Sequence, residues 1–362
     1  MQRGRLELKD VPEPPMSDDH LLVEPLAAGV CGGDLNALEH ADEFLHASRA
    51  SGTTLFLFDP DRDLVFGHEF TARVAEVGAR VDGFAPGDLL LVSPAVVDPD
   101  GVVHCVGYAS DYPGALAERV VVSPYGHVPI PDGVSPYEAA AVDPLATGLN
   151  GVWRSKIEPP AGAMITGCGP VGLGALAALV ERGIHPIVVS DPSATRREVA
   201  RSFGADVVVD PSDDDPVSAW RDLAGDEQRL FVYEASGKPG VLDSLLYTVP
   251  SYTRVTVVGA CMVDDPIRPI VGIYKNVTIE FCFGMGPDGD EYPFAATFER
   301  LADGRIDASK LVTGYAGLEG VEEVFAHLRP GDYRDIDHMK ILIRHDIDGP
   351  GIRETGRGVD HG

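Results

Sequence analysis

Residues 163–191, AMITGCGPVGLGALAALVERGIHPIVVSD, decide the reading of the chain. The apolar run Ala163–Thr166 predicts a buried strand, and Gly167-Cys168-Gly169-Pro170-Val171-Gly172 follows it as a G-x-G-x-x-G turn. Val171–Glu181 continues with helical periodicity, Gly183 closes that helix, and Pro186–Ser190 predicts a second strand ending at Asp191. In such a turn the first glycine permits the tight bend. The second lets a pyrophosphate approach the backbone, and the third lets helix and strand pack closely. The helix N-terminus offers unpaired N–H groups and a positive dipole end to the phosphates. A carboxylate about twenty residues on accepts the ribose hydroxyls of an adenosine. Gly167, Gly169, Pro170, Val171, Gly172 and Asp191 are therefore candidate dinucleotide-binding residues. The competing reading is a plain glycine turn in an α/β core, and the strand before, helix after and closing acid weigh against it. Asp191 favours NAD, because it repels a 2′-phosphate. Arg196 and Arg197 follow closely, which leaves NADP as the lesser alternative and places Arg196 among the cofactor residues.

Beyond Asp191 the pattern repeats: helix Thr195–Phe203, strand Asp206–Val209, helix 216–224, strand Arg229–Glu234, helix 239–248, strand Arg254–Gly259 and a last strand near Val277–Phe283. Such alternation predicts an α/β fold with a parallel, doubly wound sheet. Upstream the period is different. Short β-rich runs at His20–Ala28, Thr71–Val77 and Leu89–Val92 predict an antiparallel, barrel-like β domain. Residues 39–64 read as an acidic irregular loop, and 93–117 as loop. The helix Tyr292–Ala302 and the strand Met339–Arg344 are expected to return to the first domain. The resulting division is 1–142, 143–287, 288–346 and a mobile tail over 347–362.

A chain of 362 residues exceeds one ordinary core. Its 29 Lys and Arg against 57 Asp and Glu give a net charge of −28, which argues against nucleic acid and anionic membrane surfaces as partners. Only six of the basic residues are lysines. A hydrated acidic surface and adaptation to high salt both fit that composition. Five scattered cysteines, an odd number, do not make a disulfide framework. No apolar run is long enough to cross a bilayer, and no leader segment is evident, so a cytoplasmic protein is expected.

Cys31, His68 and Asp143 each sit at a turn, and thiolate, imidazole and carboxylate suit Zn²⁺ with a fourth position open. They have no local spacing signature. Taken in order, however, Gly29-Val30-Cys31-Gly32-x-Asp34, Gly67-His68-Glu69, Asp143-Pro144-Leu145-Ala146 and the glycine turn resemble the zinc-dependent medium-chain alcohol and polyol dehydrogenases, over about residues 5–345. The resemblance implies a GroES-like catalytic domain interrupted by a Rossmann domain, with the active site in the cleft between them. It implies one catalytic Zn²⁺ with Cys31, His68 and Asp143 as ligands. Glu69 is implied as the acid beside the metal that approaches it during ligand exchange, and Asp34 as the acid that orients the ligand histidine. Thr147 and Val258 are implied near the nicotinamide cofactor. A homo-oligomer, dimer or tetramer, is also implied.

Three departures stand out. Gly33 replaces the hydroxyl residue that relays the alcohol proton in many members, and Asn36 replaces a histidine; restoring Ser at Gly33 is expected to help if space allows. Segment 93–117 holds only Cys105, so no structural Zn²⁺ is expected there. The expected function is hydride transfer between a secondary alcohol, polyol or sugar-like small molecule and NAD. The alternatives are a zinc-free double-bond reductase of the same superfamily and a nucleotide-binding relative without turnover.

Overall fold

The computed structural model describes residues 1, 4–224, 228–284, 286, 292–329, 335 and 337–355. The chain divides into two units: Met1–Ala141 with Val312–Arg329 and Lys340–Gly362, and Val142–Leu311 with Pro330–Met339.

The first unit is built around the strand Leu21–Gly29, which pairs antiparallel with Glu69–Val77, Val120–Val122 and Lys340–Arg344. Partners on both sides explain why its residues are buried almost throughout. Pro25 lacks a ladder donor, and the pairing with Glu69–Val77 slips between Pro25 and Ala27, the place where a sheet tolerates proline. Leu89–Val92 and Val128–Pro129 extend the sheet on one side, and Val312–Ala316 and Arg353–Glu354 on the other. That last pairing gives 353–354 a place in the sheet, where the sequence predicted a mobile tail. Residues 356–362 of that tail lie outside the described residues. The core of this unit gathers Leu21, Val23, Phe70, Val74, Leu90 and Val121.

Two segments read as loops are structured. Ala41–Ser51 is a helix that buries Phe44, Leu45 and Ser48 and ends at Gly52 in the left-handed region. Ala95–Val97 and Val103–Cys105 form a hairpin. Asp98 accepts from the amides of Asp100 and Val102 and from His104 Nε2 at 2.9 Å, which staples its turn.

The second unit holds a parallel sheet in the order Val207–Val209, Ile187–Ser190, Ala161–Thr166, Arg229–Glu234, Arg254–Val257, Thr278–Phe281. The order reverses at Ala161–Thr166, which is the switch point where α/β sheets bind dinucleotides. Helix Pro293–Ala302 packs on helix Val142–Ser155 and belongs to this unit, not to the first as its sequence position suggested. Its buried stripe of Phe294, Thr297, Phe298 and Leu301 needs an apolar partner there.

Candidate metal centre and nucleotide site

Strand register explains how residues far apart in sequence meet. Gly29 pairs with Glu69 and with Leu342, so three strands run out at the same place. Cys31 lies two residues beyond one end, His68 one residue before the next, and Lys340 two residues outward on the third. Gly67 makes the His68 approach possible. Its φ is +104°, and a Cβ there would stand 2.8 Å from the Leu116 amide nitrogen.

Cys31 Sγ, a His68 nitrogen and a Glu69 carboxylate oxygen lie within 4.8 Å of one another. Cys31 caps the helix Gly32–Glu39; the Gly33 amide donates to its sulfur at 3.4 Å, and its own amide donates to Asp34 Oδ2 at 2.9 Å. Asp34 is fully buried, with Oδ1 3.4 Å from His68 Nδ1. Burial pulls the His68 imidazole down, but the Asp34 carboxylate and the Cys31 sulfur together outweigh it and hold the ring well above its ordinary range. Burial and Glu69 push the Cys31 thiol up. Glu69 Oε1 and His68 Nδ1 are buried without a hydrogen-bond partner. Sulfur, nitrogen and oxygen donors so gathered, with a carboxylate oxygen still unclaimed, fit a zinc ion.

Sequence reasoning missed two residues here. Lys340 is 3 % exposed, and its ammonium donates to Glu69 Oε2 and to the Val30 carbonyl at 2.9 Å. Burial lowers its pKa, yet Glu69, with Cys31 and Asp34, reverses the effect and raises it. No motif surrounds Lys340, and only its place on the strand could have pointed to it. Tyr108 is the other: its hydroxyl donates to Asp34 Oδ1 at 2.9 Å. A Cβ on Gly33 would stand 2.6 Å from that hydroxyl, so the space a Ser at 33 would need is taken. Asp143 lies in the first turn of Val142–Ser155, in the second unit, and is buried.

The glycine turn is formed as read. Gly167 has φ +84°, with the Ser236 backbone 2.7 Å from where its Cβ would be, and helix Pro170–Glu181 opens without a side-chain cap. Asp191 is buried and does two things. Its Oδ2 accepts from the Cys168 amide at 2.7 Å, which braces the turn, and its Oδ1 accepts from Ser193 at 2.8 Å. Replacing it with Gly would therefore disturb the turn as well as remove the candidate ribose acceptor. Arg197 is committed to the Asp210 carboxylate and to the carbonyls of Asp191 and Pro192. Arg196 instead leans over the turn, its Nη1 3.7 Å from the Cβ position of Gly169, with Nε unpaired. Val258 donates its amide to the Glu234 carbonyl and rests its side chain against Gly151. Thr147 packs against Gly284, and Asn150, which the sequence did not single out, donates to the carbonyls of Phe283, Gly284 and Gly286.

Among the described residues, no helix is long and apolar enough to cross a membrane. The alcohol dehydrogenase GroES-like domain family matches residues 17–132, and the zinc-binding dehydrogenase family matches 170–300. Sorbitol dehydrogenase of Bacillus subtilis is 27 % identical over 88 % of this chain and 89 % of its own. L-threonine 3-dehydrogenase of Pyrococcus horikoshii is 28 % identical over 90 % and 92 %. The crystal structure of 2R,3R-butanediol dehydrogenase from Bacillus subtilis superposes with a TM-score of 0.76 at 26 % identity, covering 95 % and 97 %. With a zinc-suited donor set at one strand end and a dinucleotide turn at the switch point, the chain belongs to the zinc-dependent medium-chain alcohol and polyol dehydrogenases.

Proposed function

We propose that the protein oxidises a secondary alcohol, polyol or sugar-like substrate with NAD, using one zinc ion held by Cys31 and His68, with Asp143 as third ligand and Glu69 as the exchanging acid. The observation that carries this reading is the convergence of Cys31, His68 and Glu69 within ligand reach. Zinc bound there supplies a Lewis acid for a hydroxyl or carbonyl oxygen, and the dinucleotide supplies the hydride acceptor. Asp34, whose Oδ1 faces His68 Nδ1 at 3.4 Å, is placed to orient the imidazole by its charge, as partners beyond the ligands do at metal sites. Lys340 neutralises Glu69 and so keeps it from taking the metal position by charge alone. Asp191 favours NAD, and half-buried Arg196, leaning over the turn, would neutralise the phosphates.

Neither Gly33 nor Asn36 can take the substrate proton, and Asp34 already accepts two donors. A substrate with neighbouring hydroxyls can pass its own proton outward, which supports polyols or sugars over short primary alcohols. The named activities of the sorbitol and butanediol relatives agree with that class.

The protein is also inferred to be a homo-oligomer. The edge strand Thr278–Phe281, the segment just after it and the helix Pro269–Lys275 present Ile273, Tyr274, Phe281 and Phe283 to solvent, each more than half exposed. An apolar sheet edge of that kind invites pairing with a second copy.

The test combines metal analysis with an NAD-coupled screen of alcohols, polyols and sugars. Cys31→Ser and His68→Ala should lose the zinc and nearly all turnover while keeping NAD affinity. An active, zinc-free parent points to the double-bond reductase. NAD binding with no turnover on any substrate points to the non-enzymatic relative.

A further inference from the structure

Tyr108 is a buried phenol that no step above uses. It follows the hairpin Ala95–Cys105, where its amide bonds back to the Cys105 carbonyl. Its ring is packed on four sides by aromatic groups: Phe44 at 5.4 Å, Phe56 at 5.5 Å, Phe66 at 6.3 Å and the His68 imidazole at 4.9 Å between centroids. A ring so held aims its hydroxyl at one place. That place is Asp34 Oδ1, 2.9 Å away, directly above Gly33.

We propose that Tyr108 is a positioning residue of the metal centre: its hydroxyl, standing over Gly33, holds the Asp34 carboxylate that holds His68. The proposal rests on the zinc reading of Cys31 and His68. Asp34 is a fully buried charge and needs fixed donors. The Cys31 amide fixes Oδ2 and the Tyr108 hydroxyl fixes Oδ1, which leaves Oδ1 facing His68 Nδ1 at 3.4 Å. With both oxygens anchored, the carboxylate cannot rotate away from the imidazole. Burial and the Asp34 charge raise the phenol's pKa well above its usual range, so it remains a neutral donor. Gly33 and Tyr108 are thereby one unit. The hydroxyl at 108 occupies the volume that any larger residue at 33 needs.

Zinc affinity, measured by competition with a chromogenic chelator, tests this in the parent, Tyr108→Phe, Gly33→Ala and the double variant. Phenylalanine keeps the ring, and the Tyr108 Cζ position is an ordinary 3.6 Å from a Cβ at 33, against 2.6 Å for the hydroxyl. Each single change should weaken zinc binding by roughly tenfold or more, the usual effect of removing an outer partner of a metal ligand. The double variant should be no weaker than Tyr108→Phe, because no hydroxyl is left to displace. NAD affinity should be unchanged throughout. Unchanged zinc affinity in Tyr108→Phe overturns the proposal, as does a further loss when Gly33→Ala is added to it. A Tyr108→Phe protein that loses NAD along with zinc also overturns it, since the effect is then global. A parent whose zinc survives Cys31→Ser overturns the metal reading itself, and that control separates the two failures.

Discussion

The Lys340 ammonium and the Glu69 carboxylate form a buried ion pair at the point where three strands end. Breaking one side leaves an uncompensated charge in the core. Lys340→Met should cost about 3–5 kcal/mol of unfolding free energy in urea titrations. Lys340→Met with Glu69→Gln should recover most of that. A single variant within 1 kcal/mol of the parent, roughly the value of an exposed pair, would show that the charge is solvated.

Asp191 separates cofactor recognition from turn stability. Asp191→Asn keeps one acceptor oxygen, so it should weaken NAD binding by about 1.5–3 kcal/mol, the worth of a charged hydrogen bond, and lower Tm less than Gly does because one of the two amide contacts survives. Asp191→Gly removes the brace on the Cys168 amide too, and should lower both NAD affinity and Tm. Calorimetric titration and thermal melts distinguish them. Equal Tm values for the two variants would contradict the brace.

His127 should make the protein acid-sensitive above the carboxylate range. The Ser93 amide donates to its Nδ1 at 3.1 Å, so the folded ring is neutral, and burial pushes its pKa down to about 4. Unfolded histidine titrates near pH 6.5. Between those values the unfolded chain binds a proton that the folded one does not, so stability falls as pH drops and levels off below about 4. From pH 7.5 to 5 the parent should lose about 2 kcal/mol more than His127→Gln. Parallel losses in both proteins would remove His127 as the cause.

The oligomer prediction is read by sedimentation. Phe281→Lys places a charge on the exposed edge strand Thr278–Phe281 and should shift the protein to a smaller species with NAD affinity retained. A parent that sediments as a monomer at tens of micromolar would end the reading.

What the sequence disclosed followed from how far each signal reaches along the chain. The glycine turn, its helix and Asp191 lie within one continuous stretch, and the structure forms them nearly residue for residue. Cys31 and His68 could be paired only by resemblance, because the register that joins them is a property of the sheet. Lys340 had no local signal at all. Helix Ala41–Ser51 was hidden because only three of its residues are buried among acids and small polar groups. Tyr108 looked like a loop tyrosine until the hairpin before it fixed its direction. The two-residue strand Arg353–Glu354 is too short to show any alternation.

The meeting of three strand ends also sets when the centre can exist during synthesis. Glu69 and its counter-ion are separated by 271 residues, and Val30 and Lys340 by 310. At ribosomal rates of about 5–20 residues per second, roughly 15–55 s pass between emergence of Glu69 and of Lys340. Throughout that interval the glutamate cannot be neutralised in place. The nucleotide sheet, encoded in between, can be complete before the first unit closes around its charge. If the proposed zinc reading holds, the metal site could reach its final charge state only after Lys340 is made, and a ribosome stalled short of Lys340 would hold a chain with the nucleotide sheet encoded but the Glu69–Lys340 pair absent.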